Sequence, residues 1–133
     1  MFANLCTYTG YIVFTYGVGL LAFPDLFMGS FIYRTGVWDK FKEGSNPDII
    51  KHLMMGLGLT WLSWAILGYY MMHNVQDAMM TSSFAKANAI LWTAWCGLDA
   101  YVRGFGIYST PAKLINMVLT VSLALAWTYV AYF

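Results

Sequence analysis

Few side chains in this sequence can do chemistry, and their spacing limits what they can reach. His52 and His73 are the candidate ligands for a metal or pigment, and 21 positions separate them. On one helix that is roughly 31 Å. A bis-histidine haem needs both imidazoles on a single iron, so these two cannot share one. Each is expected at a membrane boundary, as an interfacial side chain or as a lone axial ligand to a chlorophyll-type magnesium. No His-Glu-x-x-His or carboxylate–histidine clustering points to zinc or a di-iron centre. Asp99 and Arg103 lie four apart with the acid first, the favoured order for a helical ion pair. Asp25 is expected on the same side, as a third member of that cluster. Ionisable groups inside a membrane segment are functional candidates by default, but a pair near a helix end is expected to be structural. Neither aspartate has a Tyr-Asp or Gly-x-Gly-Asp setting, which sets aside an intramembrane aspartyl protease.

Four tryptophans, Trp61, Trp64, Trp92 and Trp95, occupy mid-helix positions. Lipid-exposed Trp prefers the interface, so these are expected to pack against protein or against a flat apolar ligand such as a pigment, quinone or sterol. With His52 and His73 they form the candidate cofactor-binding set. No cofactor is required by the sequence; chlorophyll, carotenoid or lipid are the ones it would suit. Asn88 is placed to hydrogen-bond to another helix or a polar ligand, and Lys86 to snorkel to the surface. Cys6 and Cys96 lack C-x-x-C spacing and fall towards opposite leaflets, beyond the reach of a disulfide.

Long apolar elements must position these groups. Of 133 residues, 60% are hydrophobic and 10% charged, against about 45–50% and 25% in soluble domains. That composition implies an integral membrane protein. Uncharged runs cover 5–23, 53–72 and 114–133, each sufficient for a ~30 Å hydrocarbon core. A weaker third span is expected at about 82–105, interrupted by Lys86, Asp99 and Arg103. Short links make sequential helices antiparallel neighbours. The predicted fold is therefore all-α, a four-helix up-down membrane bundle in a single transmembrane domain. The one long connection, from Asp25 to Lys51, carries Trp38 and Phe41 among charges and suits a segment in the headgroup zone. Asp48 is the expected cap of the helix that follows.

Arg34, Lys40, Lys42, Lys51, Arg103 and Lys113 fall on one side of this layout and Lys86 alone on the other. The positive-inside rule puts the first group on the cytoplasmic, stromal or matrix side, with both termini on the lumenal or periplasmic-type side. The chain opens Met-Phe-Ala-Asn without a basic region. Its first helix is expected to act as its own insertion signal or to follow an upstream presequence. A net charge of +1 offers no field to hold a nucleic-acid backbone.

The run Gly17-x-Gly19-Leu20-Leu21-Ala22-Phe23-Pro24-x-Leu26-Phe27, followed by a basic loop and a Gly-rich second helix, resembles small four-helix membrane proteins of the DoxX-like type. That family is functionally ill defined, and the resemblance implies layout alone. Small multidrug transporters also have four spans at this length, but with an acid in the first, which this chain lacks. No convergent nucleophile, base or metal set points to an enzyme. Scarce polar groups at mid-depth and aromatic, Met-rich faces suit a non-catalytic subunit docked to other membrane subunits and lipids of an energy-transducing complex. A photosystem or its antenna in a thylakoid membrane is the favoured host. A respiratory complex, in the inner mitochondrial or a bacterial inner membrane, explains the same residues. The competing expectation is a small transporter or lipophile-binding protein that uses the Asp25/Asp99/Arg103 cluster as a gate.

Overall fold

The computed structural model describes residues 1–34, 36–103 and 110–133. The described residues are mostly helical: α1 (Phe2–Ala22), α2 (Pro24–Leu26) running into a π-helical turn (Phe27–Ile32), α3 (Val37–Glu43), α4 (Pro47–Asn74), α5 (Ala78–Arg103) and α6 (Thr110–Tyr132). Three helices, α1, α4 and α6, are long and apolar enough to cross a membrane. They contain the runs 5–23, 53–72 and 114–133, except that α1 stops one residue short at Ala22, ahead of Pro24, and α6 one short at Tyr132. The expected span 82–105 corresponds to α5, which begins four residues earlier, and position 105 lies outside the described residues. More polar than the other three, α5 is not among the helices that qualify by length and hydropathy.

Side-chain hydrogen bonds set where α4 and α5 begin. Asn46 accepts from the N–H groups of Asp48 (3.0 Å) and Ile49 (3.4 Å), with Pro47 at the first helical position. The expected cap, Asp48, instead lies inside the first turn, because a cap must stand ahead of the N–H groups it satisfies. Asp77 does the same for α5, accepting from the Met80 N–H at 2.7 Å. The link between α4 and α5 is thereby cut to Val75–Asp77.

The long helices pack as two close pairs, α1 on α4 and α5 on α6. Buried positions recur every three or four residues on each: Cys6, Thr9, Val13, Gly17 and Leu20 on α1, and Ala112, Asn116, Thr120, Leu123 and Trp127 on α6. That is the period of one helix face. The α1–α4 approach depends on two glycines. A Cβ on Gly58 would stand 2.8 Å from the Gly17 carbonyl oxygen and 2.9 Å from the Leu21 nitrogen. Gly19 serves the turn after α1, since a Cβ there would meet the Phe27 ring at 2.6 Å. Close packing therefore accounts for both glycines of the Gly17-x-Gly19 run.

Within the connecting segment Trp38 is buried and Phe41 exposed. Trp38 is 3% exposed, packed on Gly29 and between Tyr33 and Phe41. Gly36 precedes α3 with φ +80°, a left-handed conformation that a side chain would strain.

Candidate functional site

The two helix pairs meet across a layer of aromatic and polar side chains. Towards the N-terminal end of α1, Phe84 stacks on Trp64 (centroids 5.7 Å apart) and stands edge-on to Trp127 (5.9 Å). The indole N–H of Trp64 donates to Asn88 Oδ1 at 3.1 Å, and Asn88 Nδ2 donates to the Phe84 carbonyl at 3.0 Å. Trp127 donates to Thr9 Oγ1 at 2.9 Å. Further along, Trp61 stacks on Trp92 (6.1 Å) and meets Trp95 edge-on (5.3 Å). Beside them the Tyr16 hydroxyl donates to Asn116 Oδ1, and Thr120 donates to the Asn116 carbonyl at 2.7 Å. Two turns along α5 from Trp92, Asp99 is 3% exposed.

This interior corrects one expectation. Polar side chains are not scarce in the core: Thr9, Asn88, Asp99, Asn116 and Thr120 are all buried. Hydropathy averaged along a helix hides them, because each sits on the inward face of a helix whose outward face is apolar.

The predicted site residues fall into separate places. Trp61, Trp92 and Trp95 share a small cavity with Tyr16, Asn116 and Thr120, while Trp64 lines a smaller one with Thr9 and Asn88. His73 is exposed, 4.3 Å from the Tyr69 ring, at the edge of an open groove of about 520 Å³ between α1 and α4. His52 is exposed and lines none of the described cavities. Thr9, Tyr16, Asn116, Thr120 and Trp127 are site residues that the sequence reading missed. The signal was the spacing of Asn116, Thr120 and Trp127, which puts all three on one face of a helix uncharged from residue 114 onward.

Asp25 is held by α3. Its Oδ1 accepts from Trp38 Nε1 at 3.0 Å and lies 3.2 Å from Lys42 Nζ, which also reaches Asp39 at 3.4 Å. The Trp38 N–H, and after it Lys42, hold the Asp25 carboxyl below its ordinary range. The Asp25 carboxylate in turn raises the Lys42 ammonium. The expected Asp99–Arg103 pair involves a side chain, Arg103, outside the described residues. Both cysteines are free. Among the described residues, no three His, Cys, Asp or Glu side chains gather closely enough to hold a metal ion. Comparison with protein families, curated proteins and solved structures gives no match in any of the three.

Proposed function

We propose that all four long helices span the bilayer as a bundle, and that the chain is a non-catalytic accessory subunit of a larger energy-transducing membrane complex. The polar residues that lower the hydropathy of α5 support its spanning role, because Asn88 and Asp99 face inward. Beyond Lys86 its exposed described positions are Ala87, Ile90, Thr93, Ala94, Gly97, Leu98, Ala100 and Tyr101. Lys86 is exposed near the start of α5, where its stem can reach the headgroups. On this reading both termini share the lumenal or periplasmic-type side, and the cationic segments face the opposite compartment.

One observation carries the docking role. Gly56, Thr60 and Ser63 form an exposed small-residue stripe on α4, and Thr93 with Gly97 forms another on α5. A Cβ at Gly56 or Gly97 would meet nothing within 4 Å. The Thr60 and Ser63 hydroxyls already donate to carbonyls of their own helix, so the α4 stripe presents no unmet donor. Small residues let membrane helices approach closely, and all five of these are exposed. Only 17% of the most apolar stretch of α4, and of α6, is buried within the molecule, which leaves wide faces for partner helices and lipid.

Purification of the native protein in gentle detergent tests this. The chain is expected to co-migrate with other membrane subunits, and Gly56→Leu with Gly97→Leu to release it still folded. An absorption spectrum of the assembly distinguishes a pigment-bearing photosynthetic host from a respiratory one. Migration alone, as a colourless folded species, contradicts the proposal. A second reading, a small transporter or lipophile carrier, draws on the burial of Asp99 beside a polar interior. On that reading Asp99→Asn abolishes flux and leaves assembly intact.

A further inference from the structure

A cavity of about 30 Å³ lies between the helix pairs, walled by Tyr16 of α1, Trp61 of α4, Trp92 and Trp95 of α5, and Asn116 and Thr120 of α6. Trp92 is 4% exposed, and its indole Nε1 is buried with no acceptor among the described residues. Two neighbouring indoles are satisfied, Trp64 by Asn88 and Trp127 by Thr9. An N–H left unpaired in so dry an interior loses the hydrogen bond it had in water and gains nothing in return. The residues lining the cavity that holds Trp92 include two hydroxyl oxygens, of Tyr16 and Thr120, beside the Asn116 amide. The Tyr16 proton is committed to Asn116 Oδ1 and the Thr120 proton to the Asn116 carbonyl. Each hydroxyl oxygen keeps lone pairs and has no proton left to give.

A group that accepts from Trp92 and donates to hydroxyl oxygens would satisfy these partners beside the Asn116 amide, and a water molecule does both. Size agrees. A buried water needs about 10–15 Å³ of probe-occupied volume and two to four polar partners, and the cavity holds about 30 Å³. Pockets for small molecules start near ~300 Å³, so a pigment or quinone does not fit this space. We propose that the cavity binds an ordered water that accepts from Trp92 Nε1 and donates to the hydroxyl oxygens of Tyr16 and Thr120. Such a water links α1 of one pair to α5 and α6 of the other, and it does so whatever partner the outer faces carry.

Infrared difference spectra of the full chain in detergent micelles, wild type minus Trp92→Phe, test this in ordinary and in heavy-oxygen water. The Trp92 N–H stretch is expected at its hydrogen-bonded position. A bound-water O–H band is expected to move to lower frequency in heavy-oxygen water and to be lost in Trp92→Phe. The Tyr16 and Thr120 oxygens do not exchange with solvent, so their bands stay in place. An N–H stretch at the free position overturns the proposal. So does a bonded N–H without an isotope-sensitive band, which assigns the acceptor to protein or to an intruding lipophile. Thr120→Val keeps the indole and removes one acceptor, and it is expected to shift the water band. If Trp92→Phe does not fold, wild type minus Thr120→Val carries the same isotope test.

Discussion

Thr9 and Trp127 show how single interior groups are coupled. Both are buried, and the indole N–H has Thr9 Oγ1 as its acceptor. Thr9→Val keeps the shape and removes the acceptor. It is expected to lower stability by about 1 kcal/mol, the scale of interhelical hydrogen bonds in bilayers, in an unfolding titration in mixed micelles. Thr9→Ser, which keeps the oxygen, is expected to lose less. Asp25 makes a prediction of a different kind. Its carboxyl is depressed chiefly by the Trp38 N–H and then by Lys42, so the clasp it forms on α3 is complete above the ordinary carboxyl value of 3.8. The clasp is lost as pH falls through the lower folded value. The Trp38 indole N–H shift, followed by NMR, is expected to titrate with a midpoint below that of a free aspartate and to be flat in Asp25→Asn. At this scale the sequence showed residue types and not partners. Asn88 and the four mid-helix tryptophans stand out by their oddity in an apolar run. Thr9 and Asn116 do not, because their meaning lies in which helix face they occupy.

The pairing of α1 with α4 rests on two glycines, Gly17 and Gly58, that face each other where the helices meet. Gly58→Ala would drive a Cβ into backbone at 2.8 and 2.9 Å, atoms that cannot swing aside, so α1 and α4 must separate. A loss of about 1–3 kcal/mol is expected, read as a lower unfolding midpoint. Gly97→Ala, with nothing within 4 Å of its Cβ, serves as the control and is expected to leave the midpoint unlowered. The sequence carried α1, α4 and α6 plainly, since an uncharged run needs no knowledge of neighbours to be read as a helix. In α5 the signal was blurred, because Lys86 points out while Asn88 and Asp99 are buried, and a window average cannot separate the two. The start of α4 was misplaced by two residues for a similar reason. Asn46-Pro47 and Asp48 are both plausible caps in sequence, and only the N–H geometry chooses between them.

At the level of the molecule, the four long helices enclose an apolar, aromatic core with a few buried polar side chains and leave many large hydrophobic residues exposed. Glycines at positions 56 and 97 and residues such as Leu59, Ile90 and Val118 are exposed on the outer faces. That exposure underlies the proposal of a bilayer protein that works beside others, and the proposal requires α5 to cross the membrane with α1, α4 and α6. Parity gives the sharpest test. Tags at the N- and C-termini of the full chain, probed with an impermeant protease in sealed vesicles of known orientation, report the side on which each end lies. Four crossings predict both tags on one side and the Arg34–Lys51 segment on the other. Tags on opposite sides mean an odd number of crossings, and would contradict the account at its centre.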